Sequence, residues 1–415
     1  MPKELSVDLI VVSRHEDPPS APVIARALAS AGLGVAEYQP APPRDPGSAP
    51  TAGRQRVGTH VLTVLGTQAS ARVAAFRHDA PVTGDMGDAA FTTLTRGIDA
   101  DDLRTLREGA VSLNLRVHAT EAEVARALEW QLRALKALLD ITQGACIDPV
   151  AQRCIGRAGL ARLAPGDPAS HFAVHDELWA GESRWLHTHG LQKFGRPELD
   201  LVAVPHALAG EAGAFLREVA ARLAAGARLA AGSEVDLDEL GTLTAVGAPV
   251  DVEHQAPFGR LRLVDTPAPG EREAAGATRL LARMALAEAS QQIDRGDIAG
   301  TLETIERVLA ANPDDCDALA LKARLSLRQG QPLDALSIGE LMELRTPHDY
   351  RGAFVIGLAL ASLRRYREAL HALNRAIDRE PEAADAFAAR AGVYERLGEA
   401  QRAAVDRAHA VYLGQ

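Results

Sequence analysis

Aromatic residues are scarce in this chain: Phe, Tyr and Trp make up 4% of 415 residues. Ala, Leu and Arg are abundant instead, so the core is expected to be aliphatic and mostly helical. Cysteine is nearly absent, with Cys146, Cys154 and Cys316 the only three. So small and odd a set excludes a disulfide framework. The spacing of Cys146 and Cys154 permits one bridge across a hairpin, with two reduced thiols as the plainer alternative. Positive charge is not in excess: the net charge is -10. That balance argues against nucleic acid as the main partner, because phosphate binding needs a basic footprint. No apolar run approaches the roughly 18 residues of a membrane span. After Met1-Pro2-Lys3-Glu4 comes only a short apolar stretch from Leu9 to Val12, which is not a leader pattern. The cytoplasm is therefore the expected setting. Phosphate-cradling Gly-rich loops and a Gly-x-Ser-x-Gly nucleophile elbow are also missing.

The length exceeds one core and implies two to three domains. The composition, 47% hydrophobic and 24% charged, is that of a globular protein. Asp8 to Ser13 reads as a buried strand, Ala21 to Ala31 as a helix stopped by Gly32, and Val35 to Tyr38 as a second strand. Pro40 to Gly53 reads as a long loop. His60 to Leu65 and Ala71 to Phe76 form a strand pair, and Asp101 to Glu108 a short helix. Ala110 to His118 alternates, which gives a half-buried strand. Thr120 with Glu123 has capping-box spacing, opening a helix that runs to about Leu139. Ala145 to Ile147 is a further strand. These elements predict an α+β domain over 1–155.

A second α+β segment is expected over 156–268. Its strands are Phe172 to Glu177, Arg184 to Thr188, Leu199 to Val204, Val250 to Val252 and Gly259 to Val264, and its helix is Gly213 to Ala225. Thr266 to Gly270 reads as a linker, and from Glu271 onward the pattern is helical throughout.

The last third repeats every 34 residues. Pro313, Pro347 and Pro381 share that spacing, as do Ala335, Ala369 and Ala403. Gly296, Gly330 and Gly398 fall on the same grid, with Arg364 in the one slot that lacks glycine. Small residues let paired helices approach, Gly ends the first helix in a left-handed conformation, and Pro ends the second. This pattern resembles the tetratricopeptide repeat (TPR) family. It divides 271–415 into units 282–315, 316–349, 350–383 and 384–415. The third is the clearest, with Gly357, Tyr366, Glu368, Ala369, Leu370, Ala376 and Pro381. The first is degenerate, because Thr301 and Val308 replace small contacts. The expected fold class is an α+β N-terminal region followed by an all-α tetratricopeptide helix-turn-helix solenoid.

What the resemblance implies is a concave groove lined by the first helix of each unit, which takes another protein or a peptide. The partner-binding residues expected there are Arg324, Leu327, Arg328, Arg351, Phe354, Leu358 and Arg396. Arginines at such positions suit carboxylates or an acidic peptide. The Lys/Asn set of chaperone-tail carboxylate clamps is not present. Val405 and Tyr412 on the last unit are expected to be exposed and to favour self-association, since terminal repeats usually carry a polar cap.

Outside the array the sharpest feature is Trp185-Leu186-His187-Thr188-His189-Gly190. On a strand, His187 and His189 share a face, and two imidazoles at that spacing suit Zn²⁺. Asp200, eleven residues after His189, is the third candidate metal ligand. This spacing is similar to the JAMM metalloprotease motif, except that Pro197 stands where that family has serine and neither Glu177 nor Glu182 is convincingly placed as its upstream glutamate. The other reading is a compact turn in which the histidines satisfy internal hydrogen bonds. The run from Trp185 to Leu201 also resembles a block of an uncharacterised bacterial domain of unknown function, which brings no activity with it. The function expected is that of a protein-interaction adaptor without a required cofactor. The alternative is a metal-dependent hydrolase centred on His187 and His189, with the array recruiting substrate.

Overall fold

The computed structural model describes residues 4–41, 54–63, 69–161, 163–164, 166–236, 242–248, 256–266 and 277–414. Residues 42–53 of the expected loop, the expected strand Val250 to Val252 and residues 267–270 of the expected linker lie outside them.

Seven strands form the first sheet: β1 (Glu4–Val12), β2 (Gly34–Pro40), β3 (Arg54–Thr63), β4 (Ser70–His78), β5 (Val111–Thr120), β6 (Ala145–Asp148) and β7 (Arg153–Ile155). Their order is β2-β3-β4-β5-β1-β6-β7, with every neighbour antiparallel. Helices α1 (Ala21–Ser30) and α4 (Val124–Thr142) cover one face. Alternation drives this: Leu113, Leu115 and Val117 of β5 and Leu9 and Val11 of β1 meet Leu28 of α1 and Trp130, Leu135 and Leu138 of α4. Truncating one such leucine, Leu135→Ala, would cost about 2–5 kcal/mol through lost transfer energy and the cavity left behind. Helices α2 (Asp88–Leu94) and α3 (Ala100–Glu108) bring Phe91 and Leu106 against Val12, Ala145 and Ile147. A one-turn helix α5 (Arg157–Leu160) follows β7.

One local expectation is corrected, and one open alternative is resolved. Thr120 ends β5 rather than capping α4, which starts at Val124. The Thr120 hydroxyl still reaches the Glu123 carboxylate at 2.8 Å, but in the turn before the helix. Cys146 pairs in register with Ile155 and Cys154 with Ile147. One residue of offset puts the two thiols on opposite faces, so the spacing that permits a bridge does not produce one, and both are free.

The second sheet holds β8 (Ala173–Leu178), β9 (Arg184–His189), β10 (Glu198–Val204), β11 (Glu234–Asp236), β12 (Thr242–Gly247) and β13 (Arg260–Asp265). Its order is β11-β12-β13-β10-β9-β8, antiparallel except for the β10–β13 pair. One face carries Leu186, Leu199, Leu201, Leu243 and Leu263 against α6 (Ala209–Ala224).

The segment between β9 and β10 fastens this sheet to the first. Phe194 packs among Leu5, Val7, Val124 and Leu128. Lys193 Nζ donates to Asp148 Oδ2 at 2.6 Å and to the His171 carbonyl at 3.0 Å. Arg196 donates to Glu121 at 2.7 Å and to the Leu223 carbonyl at 3.1 Å. The Glu198 carboxylate closes the turn by accepting from the Thr188 hydroxyl at 2.7 Å and from the Gly190 and Gln192 N–H groups. Much of the Trp185 to Leu201 block is therefore joinery between two sheets.

The C-terminal third is a run of paired helices: α7 (Thr278–Arg295) with α8 (Ile298–Ala311), α9 (Cys316–Arg328) with α10 (Pro332–Arg345), α11 (Tyr350–Ser362) with α12 (Tyr366–Arg379), and α13 (Ala384–Arg396) with α14 (Ala400–Leu413). The backbone repeats with the sequence. Asn312, Thr346 and Glu380, each just before a repeat proline, end their helices with φ of -142°, -132° and -134°. Between paired helices the chain turns through positive φ at Gly296 (79°), Gly330 (73°), Arg364 (61°) and Gly398 (80°). The small contacts are real: a Cβ on Gly357 would lie 2.6 Å from Leu373 Cγ. In the degenerate first unit, Thr301 and Val308 are fully buried in place of small residues.

This solenoid does not hang free. Leu280, Leu281 and Ala285 of α7 share one continuous core with Leu243 and Leu263 of the second sheet, and that core runs on through Ile305, Leu321 and Leu325. Arg307 of α8 also pairs with Glu211 of α6 at 2.9 Å. The fold is an α+β N-terminal region with two sheets, followed by an all-α helix-turn-helix solenoid. No helix among the described residues is long and apolar enough to cross a membrane.

Candidate functional site

Two places gather chemistry. The larger is a cavity of about 610 Å³ on the face formed by the first helix of each pair. Arg283, Leu286, Ala287 and Ser290 of α7 line one end, and Asp385 of α13 the other. Between them stand Asp317, Ala320, Leu321, Arg324 and Leu327 of α9 and Tyr350, Arg351, Phe354, Val355 and Leu358 of α11. Leu, Val and Phe side chains spaced at helical intervals give an apolar floor, and charged residues sit along it.

Five of the expected groove residues, Arg324, Leu327, Arg351, Phe354 and Leu358, line this cavity. Arg328 and Arg396 are not among its lining residues. Arg351 is already engaged: it donates to Asp349 at 2.9 Å and 2.5 Å and also pairs with Asp317. Hydrogen bonding to Asp349 holds its guanidinium even higher than the usual arginine range. Arg324 is exposed on the groove and makes no ion pair among the described residues. The cation available to a ligand is thus Arg324 rather than Arg351, a distinction that helical spacing does not carry.

The second place is the face of the second sheet turned away from α6. His187 stands opposite His175 across the β8–β9 pair and opposite Asp200 across the β9–β10 pair. Asp200 turns to Arg260, whose Nη1 lies 2.6 Å from it, with Arg262 at 3.7 Å. The residue that joins His187 and His189 is His175. One ring nitrogen from each of the three histidines lies within 4.8 Å of the others. His187 and His189 are 0% and 2% exposed, and His175 is half-buried. The Trp185 ring centre lies 4.0 Å from that of His187, and Glu177 Oε1 lies 3.8 Å from His187 Nε2.

His175 belongs to no motif of its own, and its signal lies in the pairing of two strands. Phe172 to Glu177 and Arg184 to Thr188 both read as strands. Folding them about Trp179 to Ser183 places His175 across from His187, as the observed register does.

No protein-family model matches the chain. No curated protein matches it in sequence. Among solved structures it is similar to TTC0263, a thermophilic TPR protein of Thermus thermophilus. That match has 29% identity, covers 32% of this chain and 74% of the other, and has a TM-score of 0.30. It is also similar to the MamA 41-end protein of Desulfovibrio magneticus RS-1, at 20% identity over 32% of this chain and 75% of that one, with a TM-score of 0.27.

Proposed function

We propose that this protein is an interaction adaptor whose helical array receives a peptide or helix from another protein. The observation that carries this reading is the groove across α7, α9, α11 and α13, with its apolar floor and rim of charge. A partner helix would lay its apolar side chains at i, i+3 and i+4 spacing on Leu327, Phe354 and Leu358. Arg324 would meet a carboxylate on that helix, which favours a locally acidic ligand. Phe354 is the expected anchor, since aromatic residues in such pockets carry a large share of binding energy.

The test is a peptide array probed with full-length protein, wild type against Phe354→Ala and Arg324→Glu. Bound peptides are expected to combine apolar residues at helical spacing with acidic ones. Phe354→Ala should weaken the best of them by at least about tenfold, or roughly 1.4 kcal/mol. Arg324→Glu should lower binding most for the acidic peptides. Equal recovery by all three proteins would remove the groove from the function.

A further inference from the structure

The histidine face is independent of the groove. We propose that His175, His187 and His189 form a binding site for one transition-metal dication of the zinc class. The register brings them together: His187 and His189 share a face of β9, and His175 on β8 sits opposite the first and diagonal to the second. Ring centres are 5.7 Å apart for His175 and His187 and 4.9 Å for each of the other two pairs. Three imidazole nitrogens around tetrahedral Zn²⁺, at about 2.0–2.1 Å from the metal, stand roughly 3.4 Å from one another. The observed group, within 4.8 Å, reaches that arrangement through modest side-chain rotation.

The surroundings fit a cation. Asp200 offsets one of the two nearby guanidiniums, Arg260 and Arg262, and the Glu177 carboxylate beside His187 balances the other. Glu177, 3.8 Å from His187 Nε2, is near enough to become the outer carboxylate that orients a histidine ligand, with Nδ1 of His187 left to the metal. The donor set selects the metal. Imidazole nitrogens suit zinc, copper and nickel, whereas calcium and magnesium require oxygen ligands. Of the two strands, β8 is the sheet's edge. A metal shared between them would pin that edge strand to β9.

The experiment uses the full chain, stripped with a chelator and titrated with ZnSO4 by calorimetry, with Co²⁺ absorption as a second readout. One equivalent is expected to bind, Co²⁺ should give the intense visible bands of a four-coordinate site with three nitrogens and one solvent ligand, and Zn²⁺ should raise Tm. His175→Gln, half-buried on the edge strand, and His189→Gln should each weaken binding at least tenfold and abolish the Tm rise. Circular dichroism of each metal-free variant verifies folding, and if the buried His189→Gln misfolds, His175→Gln decides alone. No stoichiometric binding by the wild type, or wild-type affinity in His175→Gln, overturns the proposal. Neither result depends on peptide binding, so the two proposals fail separately.

Discussion

Lys193 is the side chain whose loss should be felt most. It and Asp148 are both fully withdrawn from water, 2.6 Å apart, with the ammonium also donating to the His171 carbonyl. Asp148 accepts from the Ala151 N–H as well, and Arg153 stands 3.6 Å away. Burial pushes the Asp148 carboxyl up, but Lys193 and Arg153 together hold it below the usual range. In Lys193→Met the methylenes are kept and the charge is removed. The carboxylate is left with one backbone donor and a guanidinium too distant for a hydrogen bond. Breaking a buried pair from one side costs about 3–5 kcal/mol, whereas replacing both partners costs far less. Asp148→Asn should therefore be costly alone and only slightly costly when added to Lys193→Met, giving a coupling of about 2–3 kcal/mol. Because the pair joins the two sheets, Lys193→Met should also split one urea transition into two. The assay is urea unfolding followed by tryptophan fluorescence, which reports Trp130 beside the first sheet, Trp185 in the second and Trp179 in the turn after β8. A cost below about 1 kcal/mol for Lys193→Met, or additive single costs, would show that Lys193 and Asp148 do not act as a coupled buried pair.

Arg364 occupies a left-handed position that glycine fills in the other turns. A non-glycine residue there loses about 1–2 kcal/mol, part of which the greater unfolded freedom of glycine returns. Arg364→Gly is thus expected to stabilise the protein by about 0.5–1 kcal/mol in denaturant unfolding, and a loss would contradict the backbone argument. Burial, opposed by the bonds from Thr188, Gly190 and Gln192, leaves Glu198 at a pKa of about 7 against an ordinary 4.5. The folded state then holds the proton more tightly, so the stability this gives is complete below pH 4.5 and lost as pH rises through about 7. The stability difference between wild type and Glu198→Gln should accordingly fall across that window, and a pH-independent difference would disprove it. Val405 and Tyr412 on α14 are 67% and 75% exposed. If this face mediates self-association, light scattering will show a mass that grows with concentration and reverts in Val405→Glu/Tyr412→Glu. A constant monomer mass removes that idea.

The array was the most legible part of the chain because its contacts are local. Each helix packs on the next, so one period fixes cap, turn and small contact together, down to Arg364 standing in for glycine. Strands with clean alternation, such as β5, were equally readable. What escaped was short or nonlocal. β11 has three residues, and α2 buries only Phe91, so neither leaves a periodic trace. The placement of β1 between β5 and β6 depends on contacts far apart in sequence. The same holds for the sites. His187 and His189 announce themselves by spacing, while His175 needs the hairpin register. Asp200 has the right spacing for a ligand, yet its carboxylate is taken by Arg260, whose arrival on β13 no local pattern reveals. The roles of Lys193, Phe194 and Arg196 are invisible from the sequence for a similar reason: each reaches across to residues of the first domain.

The core shared by the second sheet and α7 has a consequence for how the array breathes. A stack of repeats is stabilised by its neighbours, and here one end rests on a sheet while α14 packs mainly on α13. Opening should begin away from the sheet and stop at it. Amide exchange should then be graded, fastest in α13 and α14 and slowest in α7 and α8. The groove lies across that gradient, so a ligand that spans α7 to α11 would grip a firm wall on one side and a yielding one on the other.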